Sequence, residues 1–192
     1  MKTWIQMILI LIAGMLFTGC SFFAPIDFRA EVENDQVLSA DPLLFQPPLN
    51  AKQVLYEAFS REVEGVPWLP SDKENAIKFL NAIDSTLSYM KNRTTLDGFL
   101  PYYVARDGFE AIQYYYMQLM ILLDRRYHQG VLTEPEGVVY EYTRETIKQR
   151  LEVERIRMTQ NEDSISAKAS QRQLDQLKGL ANTLEPIIGM IL

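Results

Sequence analysis

Few residues in this chain carry the side chains that catalysis or metal binding uses. The sequence contains one cysteine, Cys20, and one histidine, His128. Zinc sites built from cysteine and histidine need several such ligands, and a catalytic triad needs a histidine beside an activated nucleophile. His128 falls at the end of a predicted helix, where a cation is stabilised by the terminal carbonyl groups, so we interpret it as a capping residue. We expect no metal and no cofactor.

Paired carboxylates are the remaining candidates for acid–base chemistry. Glu152 lies close to Glu154 in the sequence, and Glu162 is followed by Asp163. Both pairs fall in stretches of alternating charge, which are typical of the solvated face of a helix. No glycine-rich phosphate loop accompanies them. We therefore expect a protein without enzymatic activity.

The segment in front of Cys20 has the composition of an export signal. A lysine near the N-terminus is followed by an apolar run over residues 7–17 and by two small residues. The sequence Phe17-Thr18-Gly19-Cys20 resembles the lipobox of bacterial lipoproteins, although Phe17 stands where that family usually has leucine. The resemblance implies cleavage after Gly19, S-diacylglycerol on Cys20 and an N-acyl chain on the new amino group. The alternative is an uncleaved signal anchor with a bystander cysteine.

The residue after the cysteine bears on the location of the protein. In the sorting pattern of enteric-type bacteria, aspartate at that position retains a lipoprotein in the inner membrane, and Ser21 is similar to the exported class. We expect the outer membrane, on its periplasmic face. The inner membrane, or the surface of a single-membrane cell, is the alternative if the host or its sorting differs. Two or three acyl chains suffice for stable anchoring.

Composition limits the remaining classes. Removing 19 of the 192 residues leaves 173, which is enough for one domain with a hydrophobic core. The formal net charge of −6 argues against nucleic-acid binding, because that affinity depends on basic residues that neutralise phosphates. The organisation we predict is a signal peptide over 1–19, a lipidated proline-containing tether over 20–49 and a helical domain over 50–192. Within the tether, the apolar residues 43–45 are expected to dock on the domain.

Hydrophobic spacing predicts an all-α bundle of four to five helices. The predicted helices cover 50–64, 71–93, 109–128, 133–160 and 164–184. A single helix over 135–184 is the alternative to the last two. No segment alternates long enough to predict a strand.

Local signals place several of these boundaries. Ser71 with Glu74, and Thr133 with Glu136, have the spacing of a capping box. Residues 94–108 contain turn-forming dipeptides and are predicted to be a turn region. Residues 159–173 have little to bury and are expected to project from the body. The apolar residues 187–192 are expected to pack or to bind a partner.

Aromatic residues supply the candidate interaction face. Tyrosine combines a large apolar ring with a hydroxyl group that seeks a partner. Three consecutive tyrosines cannot all face the same way on a helix, so they either line the edge of the core or contribute to a recognition groove. Trp68, between two prolines, either packs against the core or contacts a ligand. The candidate face comprises Tyr114, Tyr115, Tyr116, Met117 and Trp68.

These features favour a non-enzymatic envelope lipoprotein that holds or assembles a partner protein in the periplasm. It would be attached to the membrane through the acyl chains on Cys20. At the level of general architecture this is similar to the pilotins of secretins and to other accessory lipoproteins. The alternative is a module that binds a small ligand, a glycan or a peptide in a tyrosine-rich groove.

Overall fold

The computed structural model describes residues 35–38, 40–60 and 68–191. The signal peptide, Gly19 and Cys20 lie outside the described residues. The fold is all-α, as predicted, with one small two-stranded sheet. The elements run in the order β1 (Gln36–Leu38), a 3₁₀-helix (Pro42–Phe45), α1 (Ala51–Ser60), α2 (Pro70–Arg93), β2 (Phe99–Pro101), α3 (Tyr102–His128), α4 (Glu134–Glu145), a π-helix (Thr146–Leu151) and α5 (Glu152–Ile191).

Helices α2 and α3 form the central antiparallel pair. Arg125, near the end of α3, bonds Asp72 near the start of α2, and Gly108, near the start of α3, lies against Met90 near the end of α2. The core has two parts along this pair. One is enclosed by α1 and α4 and is centred on Leu55, Leu80 and Leu119. The other is covered by the N-terminal segment, the π-helix and α5 and is centred on Met90, Ile112 and Tyr116.

Helix α2 begins one residue before its predicted start. Leu69 is the N-cap, in an extended conformation and without a side-chain cap bond, and Pro70 occupies the first turn. Proline is preorganised for that position because its φ angle is fixed and its missing N–H is not needed there. The predicted capping box of Ser71 and Glu74 is therefore wrong, whereas the predicted end of the helix at residue 93 is confirmed.

Helix α3 begins at Tyr102, seven residues before its predicted start at 109. Gly108 had indicated a turn, but it is helical and lies where an added Cβ would be 2.4 Å from the Met90 sulfur. The glycine serves close packing between α2 and α3, not chain reversal. The turn is confined to residues 94–98, with Gly98 at φ 80°.

Two strands were not predicted because each has only three residues, too few to show alternation. Val37 pairs with Leu100 in the antiparallel register, and both side chains are buried. The sheet joins the N-terminal segment to the start of α3, and the Tyr102 N–H donates to the Asp35 carbonyl at 2.6 Å.

The last helical stretch follows the single-helix alternative. It runs from Glu134 to Ile191 without a break, so the predicted gap between the helices over 133–160 and 164–184 is absent, and the predicted helix end at 184 is wrong. The π-helix inserts a wider turn, which places the buried Thr146 and Leu151 five residues apart on the same side. Ile165 and Ala169 are also buried, so the projecting part begins after Ala169 and not at 159.

No helix among the described residues combines the length and apolar character needed to cross a membrane.

Candidate functional site

A groove lies where the end of α3 turns into α4, and its geometry begins with the turn. Gly130 adopts φ 68°, a left-handed conformation that ends α3 and that glycine adopts without strain. Thr133 is the N-cap of α4, and its backbone N–H donates to the Glu136 carboxylate at 2.9 Å. The capping box predicted from Thr133 and Glu136 is confirmed, with Pro135 in the first turn.

A buried ion pair supports this turn from beneath. The Arg126 Nε atom lies 3.7 Å from a Glu136 carboxylate oxygen, and both side chains are almost fully buried. The Arg126 guanidinium also lies 4.5 Å from the centre of the Trp68 ring. Burial lowers the pKa of Arg126, and the negative charge of Glu136 opposes that change. The pair fixes the last turn of α3 against the first turn of α4.

The wall of the groove is a stacked pair of tyrosines. The rings of Tyr127 and Tyr140 lie 4.6 Å apart and are nearly parallel, at 12°. The Tyr140 hydroxyl donates to an Asp124 carboxylate oxygen at 3.0 Å, which holds the ring in place. Burial raises the pKa of Tyr140, and its hydrogen bond to Asp124 acts in the same direction.

The groove has a volume of about 590 Å³. This falls within the range of about 300–1,000 Å³ that ligand sites occupy. An added Cβ at Gly130 or Gly137 would meet nothing within 4 Å, so both glycines border open space. The residues that line it are Tyr127, Gly130, Leu132, Thr133, Glu134, Gly137, Val138, Tyr140 and Glu141.

The five residues of the predicted interaction face do not share a surface. Tyr114 and Met117 are exposed on α3, and Tyr115 is half-buried between the Tyr114 and Phe79 rings. Tyr116 lies in the core and Trp68 plugs it beside Phe59. That prediction needs correction, because consecutive helical residues point about 100° apart. None of the five lines the groove.

The other candidate residues are held in local ion pairs. His128 is the last residue of α3, exposed, 3.5 Å from Asp124. Glu152 bonds Arg155, whose guanidinium lowers the pKa of that carboxyl, and the buried Glu154 lies 3.5 Å from Arg157. Within the described part of the chain, no group of three or more histidine, cysteine or acidic residues is arranged to hold a metal.

A second feature fastens the N-terminal segment to the body. We call residues 35–38 and 40–46 the strap. The buried Phe45 ring packs at 5.2 Å from Phe109, whereas Leu43 and Leu44 remain exposed, so only one of the three residues expected to dock is buried. The Tyr116 hydroxyl donates to the Phe45 carbonyl at 2.5 Å, and burial raises the pKa of this tyrosine.

Further side chains from the last helical stretch also reach the strap backbone. The Tyr142 hydroxyl donates to the Gln46 carbonyl at 2.5 Å. Arg150 donates to the Leu44 carbonyl and Arg157 to the Leu38 carbonyl. Three helical elements in addition to α3 therefore bind the chain that connects the body to the predicted lipid site.

The groove was missed because its residues are dispersed in the sequence. A signal was nevertheless present: Gly130 and the Thr133 capping box predict a tight helical hairpin, in which the last turn of α3 faces the first turns of α4. Tyr127 and Tyr140 lie on either side of that hairpin. The sequence could therefore have brought these two rings together.

No family model matches this chain, and no match was found among the curated proteins or the solved structures.

Proposed function

We propose that this chain is a lipid-anchored envelope lipoprotein that faces the periplasm and acts, without enzymatic activity of its own, as an interaction or assembly protein. In this proposal Cys20 carries the acyl chains, and the helical body binds a protein partner close to the outer membrane. The accessory role is pilotin-like in general architecture. The lipobox-like sequence supports the anchor, and the body supplies the binding surface.

The strap is the observation that carries the proposal. A body on a freely moving tether would need nothing to fix the last part of that tether. Here four side chains from α3, α4, the π-helix and α5 bind strap carbonyl groups. This arrangement leaves only the chain before residue 35 to connect the body to its anchor, which favours a body kept near the membrane, where an assembly factor would meet its partner.

The alternative, a module that binds a small ligand, a glycan or a peptide, is favoured by a different observation. The groove beside Tyr127 and Tyr140 has the volume of a ligand site, and its two rings are held in a fixed stack. The tyrosine-rich surface of this alternative is thus the α3–α4 groove and not the face around Tyr114.

The proposal is tested by crosslinking in living cells, followed by mass spectrometry of the captured proteins. The full-length chain is compared with Cys20→Ala, and metabolic labelling with an alkyne fatty acid reports lipidation. We expect the wild-type chain to incorporate the label and to capture a defined envelope protein, and both signals to be lost in the variant. A labelled chain that captures no partner would overturn the assembly role and favour ligand binding, whereas an unlabelled wild-type chain would overturn the anchor.

A further inference from the structure

The groove exposes an apolar surface of the kind that a binding partner covers. Tyr127 is 47% exposed and Val138 is 58% exposed, although each lies beside buried neighbours. Leu132 and the edge of Tyr140 continue this surface into the groove. Since the Tyr140 hydroxyl is fixed by Asp124, the aromatic wall is already in place before anything binds. A preorganised surface loses little conformational entropy when it is covered.

The charged residues that line the groove are all acidic. Glu134 and Glu141 are the charged residues in its lining, and Asp124 lies behind the tyrosine stack. Arg126 is buried and paired with Glu136; the exposed basic side chains nearby are Arg144, 3.3 Å from Glu141, and His128, 3.5 Å from Asp124. The last two pairs are exposed, so they are weak and can exchange for a partner's cation at little cost.

An anion is not the complement of this site, even though α4 begins here. The positive end of a helix attracts anions through its free N–H groups. In α4 the Glu136 carboxylate already accepts from the Thr133 N–H at 2.9 Å and from the Thr133 hydroxyl at 2.6 Å. That carboxylate, which is also paired with Arg126, therefore occupies the place that an external anion would take.

We propose that this groove, lined by Tyr127, Val138, Glu134 and Glu141, binds a basic and partly apolar segment of the partner protein. Lysine and arginine carry an aliphatic stem below the charge. The stem would lie on Tyr127 and Val138, while the cation reaches Glu134 or Glu141 or the face of a tyrosine ring. This inference rests on the proposed function, because it names the chemistry of the segment that the interaction protein recognises.

Gly137 allows the groove to be filled without disturbing the fold. An added side chain at this position enters open space, and replacing a helical glycine favours the helix. Gly137→Leu should therefore occupy the groove in a folded protein. Gly179→Leu is the matched control, since Gly179 is also helical and an added Cβ there meets nothing within 4 Å.

The test measures fluorescence polarisation with the full-length lipoprotein in nanodiscs of zwitterionic phosphatidylcholine. The probes are a short synthetic peptide in which arginine alternates with leucine and phenylalanine, and the same peptide with glutamate in place of arginine. We expect the basic peptide to bind and the acidic one not to bind. Gly137→Leu should weaken binding by about tenfold or more, equivalent to about 1.4 kcal/mol. Gly179→Leu should leave it unchanged, and Glu134→Gln with Glu141→Gln should weaken it and reduce its salt dependence.

Equal binding of the two peptides, or unchanged binding by Gly137→Leu, would overturn the assignment of the groove. That failure is separable from failure of the proposed function. A Cys20-dependent partner captured in cells by a chain with Gly137→Leu, at the wild-type yield, would reject the groove and keep the assembly role. Loss of that capture in Gly137→Leu but not in Gly179→Leu would support the groove as the partner's site.

Discussion

The contact between Gly108 and Met90 shows how closely the two central helices approach. A Cβ at residue 108 would lie 2.4 Å from the Met90 sulfur and 2.7 Å from its Cγ, and Met90 is fully buried. The Cγ atom is close to the backbone of α2, so rotation of the end of the side chain does not relieve the overlap. The position needs glycine for space.

Gly108→Ala should therefore destabilise the protein. Overpacking a core costs about 1–3 kcal/mol, which exceeds the gain of about 0.5–1 kcal/mol from a better helix former. Urea denaturation followed by circular dichroism measures the free energy of unfolding. Gly137→Ala is the control and should stabilise the protein, because it adds a methyl group in open space. Equal effects of the two substitutions would contradict this account.

Two adjacent arginines at the end of α3 should differ sharply in their effect on stability. Arg126→Met leaves the buried Glu136 carboxylate without this cation, and breaking a buried pair costs about 3–5 kcal/mol. Arg125→Met removes an ion pair with Asp72 at 3.3 Å whose arginine is exposed. Such a pair contributes at most about 1 kcal/mol. Thermal and urea denaturation of both variants provide the measurement.

A second substitution separates the buried charge from lost packing. In the Arg126→Met background, Glu136→Gln removes the negative charge, and glutamine can still serve as the third residue of a capping box. We expect this change to recover part of the stability. If it lowers stability further, the loss in Arg126→Met comes from packing against Trp68 and not from the charge.

At the scale of elements, the strap depends on hydrogen bonds to its backbone. Tyr116→Phe removes the buried donor to the Phe45 carbonyl, at a cost of about 1–3 kcal/mol. The strap should then open more often, and the Leu44 and Gln46 amides of the 3₁₀ turn should exchange their hydrogens about tenfold faster or more. Tyr115→Phe is the control, since its ring faces Phe79 and Tyr114. Unchanged exchange in Tyr116→Phe would show that the strap is held by other contacts.

The boundaries of an element could be predicted from the sequence when neighbouring residues determine them, and not when contacts with distant residues do. The end of α2 and the Thr133 cap follow from nearby residues, and both were found. The early start of α3 was missed because Gly108 is explained by Met90, eighteen positions away in the sequence. The π-helix and the strands were missed for a similar reason. The wider turn and the three-residue strands make contacts between segments far apart in the sequence, as Arg150 does with the Leu44 carbonyl and Val37 does with Leu100.

The same argument applies to the candidate sites. The consecutive tyrosines were evident in the sequence, but the helix places Tyr116 in the core and Tyr114 on the surface. The groove arises from two tyrosines on different helices, so it depended on the hairpin angle that the Arg126–Glu136 pair fixes.

For the whole molecule, alkaline pH should be destabilising. Burial raises the pKa of Tyr102, Tyr116 and Tyr140 above the usual value of 10.0. Below pH 10 these groups are protonated in both states and the full stability is present. Above it the unfolded phenols ionise while the folded ones keep their protons, so stability falls as pH rises. Urea denaturation at pH 9 and at a pH about one unit above 10 measures the difference; no loss would contradict it.

The part of α5 that follows Ala169 is exposed from residue 170 to residue 179. About 33 Å of helix follow Ala169, the last buried residue among those whose side chains are described. Leu174 and Leu177 are exposed on it, at 52% and 55%. The sequence then continues into the apolar residues 187–192. Exposed apolar side chains such as Leu174 and Leu177 favour association.

Deleting residues 187–192 should lower either thermal stability or the yield of a crosslinked partner, because these residues are expected to pack or to bind. Thermal denaturation and in-cell crosslinking measure the two effects. A chain in which the same residues are replaced by serine and glutamine controls for length and should behave like the deletion. If neither property changes, the apolar end has no such role.

The strap also sets a distance. Asp35 lies fifteen positions after Cys20, and a fully extended chain of that length spans at most about 50–54 Å. If the strap detached, the free chain would reach from Cys20 to Ala51 and could span about 100–110 Å. When the strap is bound to the body, the greatest distance between Cys20 and the body is about half of that. A partner whose binding segment lies farther from the membrane than this distance could not be reached by a lipid-anchored body.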